Sequence, residues 1–256
     1  MDAASDHSVD AFHRGRFVLV QPRRGHRTGM DAMVLAAALP STFEGRLADL
    51  GAGAGGAGLA VLSRCPQASA LLIERDADMA EFARMTLARP ENAAFATRAE
   101  IVRADVELTG DARTQAGLVP NSVDAVIMNP PFNAPDDRQT DDPLRRDAHV
   151  LRPGLIEAWA RTAAAIARPG AWFALIARPA SLSETLAAIE SRFGAAELCA
   201  IHPRPGENAI RFVIRARKGA KGALAIRPPL ILHEADGNAF APRTDAILNG
   251  QASLMD

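Results

Sequence analysis

Short apolar runs alternate with helical patterns from residue 46 onward, and this alternation constrains the fold of the 256-residue chain most strongly. A strand, a helix and a second strand in succession require a parallel sheet with helices on both faces. The later runs include an antiparallel pair, 196–203 and 208–218. We therefore predict an α/β fold with a doubly wound, seven-stranded, mostly parallel sheet and an antiparallel closing strand. The other predicted strands are 46–50, 68–74, 99–105, 122–129 and 171–177.

Segments on either side of this pattern are expected to pack on the main domain. Residues 1–45 contain a hairpin-like segment that leads into a helix ending at Pro40, and we predict an N-terminal embellishment there. Residues 46–222 carry the main domain. Residues 223–256 contain one strand-like run, LAIRPPLILHE, and no core of their own, so we expect a C-terminal extension packed on the main domain. A chain of this size buries about three quarters of its unfolded surface, so one core suffices.

Composition excludes several classes of protein. A net charge of −1 and 48% hydrophobic residues are typical of a globular chain and not of a disordered or fibrous one. Cys65 and Cys199 provide neither a disulfide framework nor zinc-ligand spacing, so we expect no metal. The sequence contains no run of membrane-spanning length and no apolar leader at its start. We expect a cytoplasmic, bacterial protein without membrane contact.

A glycine-rich segment follows the first strand, in the pattern D-x-G-x-G-x-G. Glycines permit a tight turn and allow backbone amides to approach a ligand. Glu74 ends the second strand, 25 residues after Asp49, the acid that begins this pattern. At this position a carboxylate can accept hydrogen bonds from both hydroxyls of a ribose. Together these features predict a nucleoside site. Its residues in the glycine-rich segment are Asp49, Gly51, Gly53 and Gly55.

The acid before the glycines separates two kinds of nucleoside ligand. A dinucleotide would place its pyrophosphate at the helix N-terminus, whereas the Asp49 carboxylate suits the ammonium of an amino acid. S-adenosylmethionine combines an amino acid, a ribose and an adenine without phosphate. Asp105, at the end of the third strand, is placed to accept from the adenine amino group, with the Val106 N–H donating. A helix N-cap is the alternative role for Asp105.

The fourth strand ends in Asn129-Pro130-Pro131-Phe132. Two prolines can neither continue a helix nor donate to a sheet, so the strand must stop in a stiff, extended turn. With the preceding motifs, residues 46–217 resemble the amino-methylating class I S-adenosylmethionine-dependent methyltransferases, whose fourth strand ends in [DNS]-P-P-[FYW]. This resemblance implies a Rossmann-like fold and S-adenosylmethionine as the cofactor.

The resemblance also implies roles for the turn. The Asn129 side-chain oxygen, beside the cofactor, and the Pro130 carbonyl accept the two protons of the target amine. They aim its lone pair at the sulfonium methyl group, and Phe132 stacks on a base rotated out of its strand. Pro131 lines the substrate site.

A further resemblance lies upstream of the glycines. RGHRTGMDAMVLAA (24–37) is similar to the N-terminal signature of the bacterial tRNA(Val) adenine-37 N6-methyltransferase family, as are two C-terminal segments. The resemblance implies that Met30 and Asp31 lie beside the methionine end of the cofactor, and that the substrate is an adenine in tRNA. An N-cap role for Asp31 is the alternative.

Arginine clusters are consistent with a nucleic-acid partner because phosphate contacts require basic side chains. Solvated surface is the alternative for each cluster. No role is assigned to the polar loop 133–154 or to its His149, and the oligomeric state stays open. The candidate substrate-binding arginines are Arg23, Arg24, Arg27, Arg145 and Arg146.

Three other functions compete with tRNA adenine methylation. A release-factor glutamine N5-methyltransferase shares the NPP chemistry but carries a helical N-terminal domain that 45 residues can hardly supply. An rRNA guanine-N2 methyltransferase is the second alternative, although many members carry a duplicated domain. The third is a cofactor-binding module without activity, which the intact NPPF motif disfavours.

Overall fold

The computed structural model describes residues 6–25, 27–131 and 152–255. Ten strands lie in these ranges: β1 His7–Phe12, β2 Phe17–Pro22, β3 Gly45–Leu50, β4 Ala68–Glu74, β5 Ala99–Arg103, β6 Val123–Met128, β7 Ala167–Ala177, β8 Phe193–His202, β9 Arg211–Lys218 and β10 Ala225–Ile231. Eight α-helices accompany them: α1 Met30–Ala36, α2 Gly56–Arg64, α3 Ala77–Leu87, α4 Ala93–Ala96, α5 Gly110–Gln115, α6 Leu155–Ile166, α7 Leu182–Ile189 and α8 Pro242–Leu248.

The main sheet has the strand order β10-β8-β9-β7-β6-β3-β4-β5. Strands β3 to β7 pair in parallel, and β9 is antiparallel to both of its neighbours. The predicted fold class is therefore confirmed, but the described sheet has eight strands and not seven. The additional strand is β10, which pairs in parallel with β8. It covers an edge of β8 that would otherwise expose unpaired backbone groups.

Two hydrophobic clusters lie on opposite faces of this sheet. Successive side chains of a strand point to opposite faces, so Leu47 joins one cluster and its neighbour Ala48 joins the other. Helices α1, α2 and α8 contribute to the first cluster, and α6 and α7 to the second. Strands buried on both faces explain why the predicted runs are almost continuously apolar.

The N-terminal hairpin of β1 and β2 attaches to the α3 region through buried polar side chains. Val20 N–H donates to Thr86 Oγ1 at 2.9 Å, and Val18 N–H donates to Asn92 Oδ1 at 3.0 Å. At the other end of the chain, Leu254 N–H donates to the Ala37 carbonyl at 2.8 Å. Both terminal segments therefore pack against the main domain.

The carboxyl ends of β5, β4, β3 and β6 lie side by side along one edge of the sheet. Adjacent strands are about 4.8 Å apart, so these four ends span about 14 Å. The chain order reverses between β3 and β6, and ligands of open α/β sheets bind at such a switch point. The side chains at or just beyond these ends are Asp105, Glu74, Asp49 and Asn129.

Candidate active site

The glycine turn joins β3 to α2 and depends on left-handed backbone. Gly51, Gly53 and Gly55 have φ of 72°, 56° and 92°, a region that side chains disfavour. The Ile73 carbonyl accepts from the N–H groups of Gly51 and Ala52, both at 2.9 Å. These bonds tie the turn to the end of β4, so the loop that would hold a ligand is fixed by the neighbouring strand.

Asp49 lies beneath this turn and is only 2% exposed. Its Oδ2 accepts from Gly58 N–H, in the first turn of α2, at 2.8 Å. Burial is the main reason that the pKa of the Asp49 carboxyl is raised from 3.8 to about 7; the Gly58 hydrogen bond lowers this pKa, and the nearby Glu74 charge adds to the increase. The site therefore stores unfavourable negative charge, which a cationic ligand would relieve.

Glu74 ends β4 and spans the gap between two backbone segments. Its Oε2 accepts from Gly53 N–H at 2.9 Å, and its Oε1 accepts from Asp76 N–H at 2.8 Å. Burial is the largest cause of a raised pKa for this carboxyl. Each carboxylate oxygen has a second lone pair, so Glu74 can still accept from ligand hydroxyls.

Asp105 lies two residues beyond β5, and the structure excludes a helix N-cap role for it. Thr109 occupies the N-cap of α5, whereas Asp105 Oδ1 accepts from Glu107 N–H at 2.9 Å within a tight turn. Asp105 Oδ2 is 3.8 Å from Arg75 Nη1. Val106 is buried, and its carbonyl accepts from the Thr162 hydroxyl at 2.7 Å.

An open cavity of about 600 Å³ adjoins Asp105, a volume within the range of small-molecule sites. It continues the carboxyl edge of the sheet beyond Glu74. Its lining residues are Arg75, Asp76, Arg103, Ala104, Asp105, Leu108 and Ala116.

The Asn129-Pro130-Pro131 turn begins directly after β6. Pro130 is buried, and Asn129 and Pro131 are partly exposed. Asn129 Oδ1 is itself buried, and no residue in the described part of the chain donates a hydrogen bond to it. An acceptor left without a donor costs free energy, on the order of 1–3 kcal/mol, so it indicates a position awaiting a partner.

The segment before α1 also reaches this edge. Met30 is the first residue of α1, whose N-cap is Gly29, so the N-cap role for Asp31 is excluded. Asp31 Oδ2 instead accepts from Arg211 Nε at 2.9 Å, and both side chains are largely buried. A negative charge in the first helical turn also interacts favourably with the helix dipole.

The candidate arginines of the hairpin occupy different environments. Arg23 pairs with Asp6 at 3.3 Å, and Arg27 pairs with Asp10 at 2.8 Å. Arg24 is exposed and, among the residues that the structure describes, forms no ion pair. Phe132, Arg145, Arg146 and His149 lie outside the described residues.

Residues that the sequence did not single out also contribute to this site. Trp159 of α6 packs on the glycine turn, and a Cβ added at Gly51 would lie 2.6 Å from its Cη2 atom. Thr28 packs against Gly56 on the other side of the turn. A tryptophan on an otherwise alanine-rich helix is a weak sequence signal for the contact between Trp159 and Gly51. No sequence signal indicates the contact between Thr28 and Gly56.

The described ranges contain neither a metal-binding cluster nor a membrane-spanning helix. No group of three or more His, Cys, Asp or Glu side chains there is arranged to hold a metal ion. No helix there has the length and apolar character needed to cross a membrane.

Comparisons with known proteins identify the family of the chain. Residues 27–154, half of the chain, match the family model of the methyltransferase small domain. A crystal structure described as a predicted O-methyltransferase from Agrobacterium tumefaciens shares 45% sequence identity, with a TM-score of 0.77. That similarity covers 88% of this chain and 99% of the other. No curated protein matches the chain.

More distant structures share the fold alone. The 16S rRNA N2 G1207 methyltransferase of T. thermophilus, in complex with AdoMet and guanosine, has 22% identity and a TM-score of 0.56 over 83% of this chain and 50% of that one. TYW2 of P. horikoshii, in complex with MeSAdo, has 14% identity and a TM-score of 0.54 over 82% and 70%. The family model and the 45% identical structure together place this chain in the methyltransferase small domain family.

Proposed function

We propose that this S-adenosylmethionine-dependent methyltransferase methylates an exocyclic amino group, and that its substrate is an adenine in tRNA, methylated at N6. Methyl transfer itself follows from the family. The nitrogen acceptor and the RNA are the proposal. The observation that carries it is the buried Asn129 oxygen, to which no described residue donates a hydrogen bond.

The residues of the site fit S-adenosylmethionine, the methyl donor. Glu74 keeps lone pairs for the ribose hydroxyls, and Asp105 keeps one oxygen for the adenine amino group. Asp49 and Glu74 supply negative charge whose burial is costly without a cation nearby. S-adenosylmethionine supplies an electrophilic methyl group on a positively charged sulfur.

Two neutral acceptors would orient the target nitrogen. Asn129 Oδ1 accepts one N–H of the amine, and the Pro130 carbonyl accepts the other. An exocyclic amine is a poor nucleophile because its lone pair is delocalised into the ring, and two acceptors draw it out of conjugation. Positioning and preorganised dipoles therefore provide the catalysis, without a strong base. Phe132 would stack on the base, as the sequence motif implies.

O-methylation is the second candidate, since the relative with 45% identity is described as a predicted O-methyltransferase. A hydroxyl must lose its proton before or during attack, and this requires a basic group. An amide oxygen such as Asn129 Oδ1 is a hydrogen-bond acceptor but a very weak base. It suits a nitrogen that keeps its protons until the methyl group has been transferred, so the geometry favours the amine.

Support for RNA comes from the arginines between β2 and α1. The hairpin ends in Arg23 and Arg24, which are both exposed, and Arg27 follows them. Guanidinium groups pair with phosphate oxygens in a planar, two-pronged geometry.

A direct assay separates the candidates. Purified protein is incubated with methyl-labelled S-adenosylmethionine and, in parallel, unmodified tRNA, small ribosomal subunits or a release factor, and the products are digested for mass spectrometry. We expect label in N6-methyladenosine from tRNA. Label only in N2-methylguanosine of rRNA, in a methylated hydroxyl or in protein glutamine would overturn the proposed substrate.

A further inference from the structure

Gln21, near the end of β2, is a buried amide with only 2% exposure. Its Oε1 accepts from Thr28 N–H at 2.6 Å, and its Nε2 donates to Asp10 Oδ2 at 2.9 Å. Both the oxygen and the nitrogen of the amide therefore form hydrogen bonds. These bonds join the hairpin to the segment that precedes α1.

Thr28 carries this connection to the glycine turn. A Cβ added at Gly56 would collide with the Thr28 side chain, so the two residues are in close contact. Gly56 is the first residue of α2 and follows Gly55, whose φ of 92° closes the turn. Displacing Thr28 would therefore remove the side chain against which the start of α2 packs.

Asp10 determines which way the Gln21 amide points. Its Oδ2 also accepts from Ser8 Oγ at 2.9 Å and from Arg27 Nη2 at 2.8 Å. An ionised carboxylate only accepts hydrogen bonds, so the Gln21 NH₂ group must face it. The Gln21 oxygen then faces Thr28. Asp10, Gln21 and Thr28 therefore form a chain of contacts from the hairpin to the glycine turn.

We infer that Gln21 is a positioning residue for the cofactor: it holds Thr28 against Gly56 and so maintains the glycine turn in its binding shape. The inference rests on the proposed function in one respect, that this turn binds S-adenosylmethionine. It makes the N-terminal hairpin a part of the active site, although none of its own side chains needs to touch the cofactor.

Two substitutions test this inference. Gln21→Met keeps the volume and removes both hydrogen bonds. We expect it to weaken S-adenosylhomocysteine binding and to raise KM for S-adenosylmethionine, each roughly tenfold, with kcat at saturation nearly unchanged. Ser8→Ala is the matched control, because it removes a donor to Asp10 and leaves Gln21 and Thr28 in place. Thermal melting checks that each variant is folded.

Gln21→Glu provides a readout that a purely structural role would not change. The new carboxyl can still accept from Thr28, but it faces the Asp10 carboxylate, with Arg27 as the nearby positive charge in the network. A proton shared between the two carboxyls restores the donor that the amide supplied. We expect S-adenosylhomocysteine affinity, relative to wild type at the same pH, to be low at pH 8 and to recover as the pH falls toward 5.5.

The outcomes distinguish this inference from the proposed function. If wild type binds S-adenosylhomocysteine and all Gln21 variants bind it equally well at every pH, the inference is wrong and the proposed function stands. The same holds if Ser8→Ala weakens binding as much as Gln21→Met. If wild type itself does not bind, the proposed cofactor site fails, and the inference fails with it.

Discussion

The Asp49 carboxylate, at the end of β3, accepts a hydrogen bond from Gly58 N–H in the first turn of α2, at 2.8 Å. This contact spans the whole glycine turn, so one buried acid holds the strand and the helix on either side of it. Because the acid is buried, its pKa is raised to about 7. The same residue that shapes the turn therefore makes the site sensitive to pH and to positive charge.

The first prediction concerns stability against pH. The folded protein binds the Asp49 proton more tightly than the unfolded chain, so the contribution of Asp49 to stability is fully present below pH 3.8 and is lost as the pH rises through about 7. The linked free energy is at most about 4 kcal/mol. Asn at this position still accepts from Gly58 without a charge. We expect the melting temperature of Asp49→Asn, relative to wild type without ligand, to increase between pH 4 and 7 and to level off above.

A difference between Asp49→Asn and wild type that stays constant over this pH range would contradict the buried, titrating acid. Comparison at each pH cancels the contributions of other groups, such as His13, whose pKa burial lowers to about 4.

The second prediction concerns Glu74 and the ribose. Glu74→Ala should weaken S-adenosylhomocysteine binding by about 1.5–3 kcal/mol, the scale of hydrogen bonds to a charged group. The substitution also frees Gly53 N–H, so a lower affinity alone would not locate the ribose. Calorimetry with 2′-deoxy-S-adenosylhomocysteine completes a double-mutant cycle. We expect loss of the hydroxyl to reduce the binding free energy more for wild type than for Glu74→Ala. Equal reductions would show that Glu74 does not bind the ribose.

The third prediction concerns Asn129, whose oxygen we propose accepts a hydrogen bond from the target amine. Asn129→Ala should lower kcat by about 10²–10³-fold, as loss of one preorganised polar group does, and change cofactor affinity only a few-fold. Asn129→Asp retains an acceptor oxygen and should keep more activity than the alanine variant. Single-turnover kinetics and calorimetry measure the two quantities. Near-native methyl transfer by Asn129→Ala would exclude the mechanism.

The fourth prediction separates phosphate attraction from cofactor binding. Arg23→Ala with Arg24→Ala should reduce the salt dependence of tRNA binding by about 0.7 log units per tenfold salt for each single-strand phosphate lost. Arg27 is left unchanged because it also holds Asp10. Arg168→Ala is the matched control: it lies near the start of β7, at the opposite edge of the sheet. An unchanged slope in the double variant would place the RNA elsewhere.

Local sequence patterns determined seven of the eight strands of the main sheet, the glycine turn and the acids at the strand ends. Each depends on a short-range rule: apolar runs for buried strands, glycine for positive φ, and proline for the stop after β6. The carboxyl ends of parallel strands meet at one edge, so Glu74, Asp105 and Asn129 could be assigned to one site before their positions were known. The family match supports methyl transfer as the reaction.

Tertiary structure alone decided the contacts between distant segments. Asp31 and Arg211 are 180 residues apart and pair across α1 and β9, so Asp31 forms an ion pair and not the helix cap that was its alternative role. Asp49 became a buried acid because α2 folds back over it, and β10 became an eighth strand because β8 had a free edge. Such contacts depend on which surfaces meet after the sheet has formed, and neither periodicity nor residue propensity carries that information.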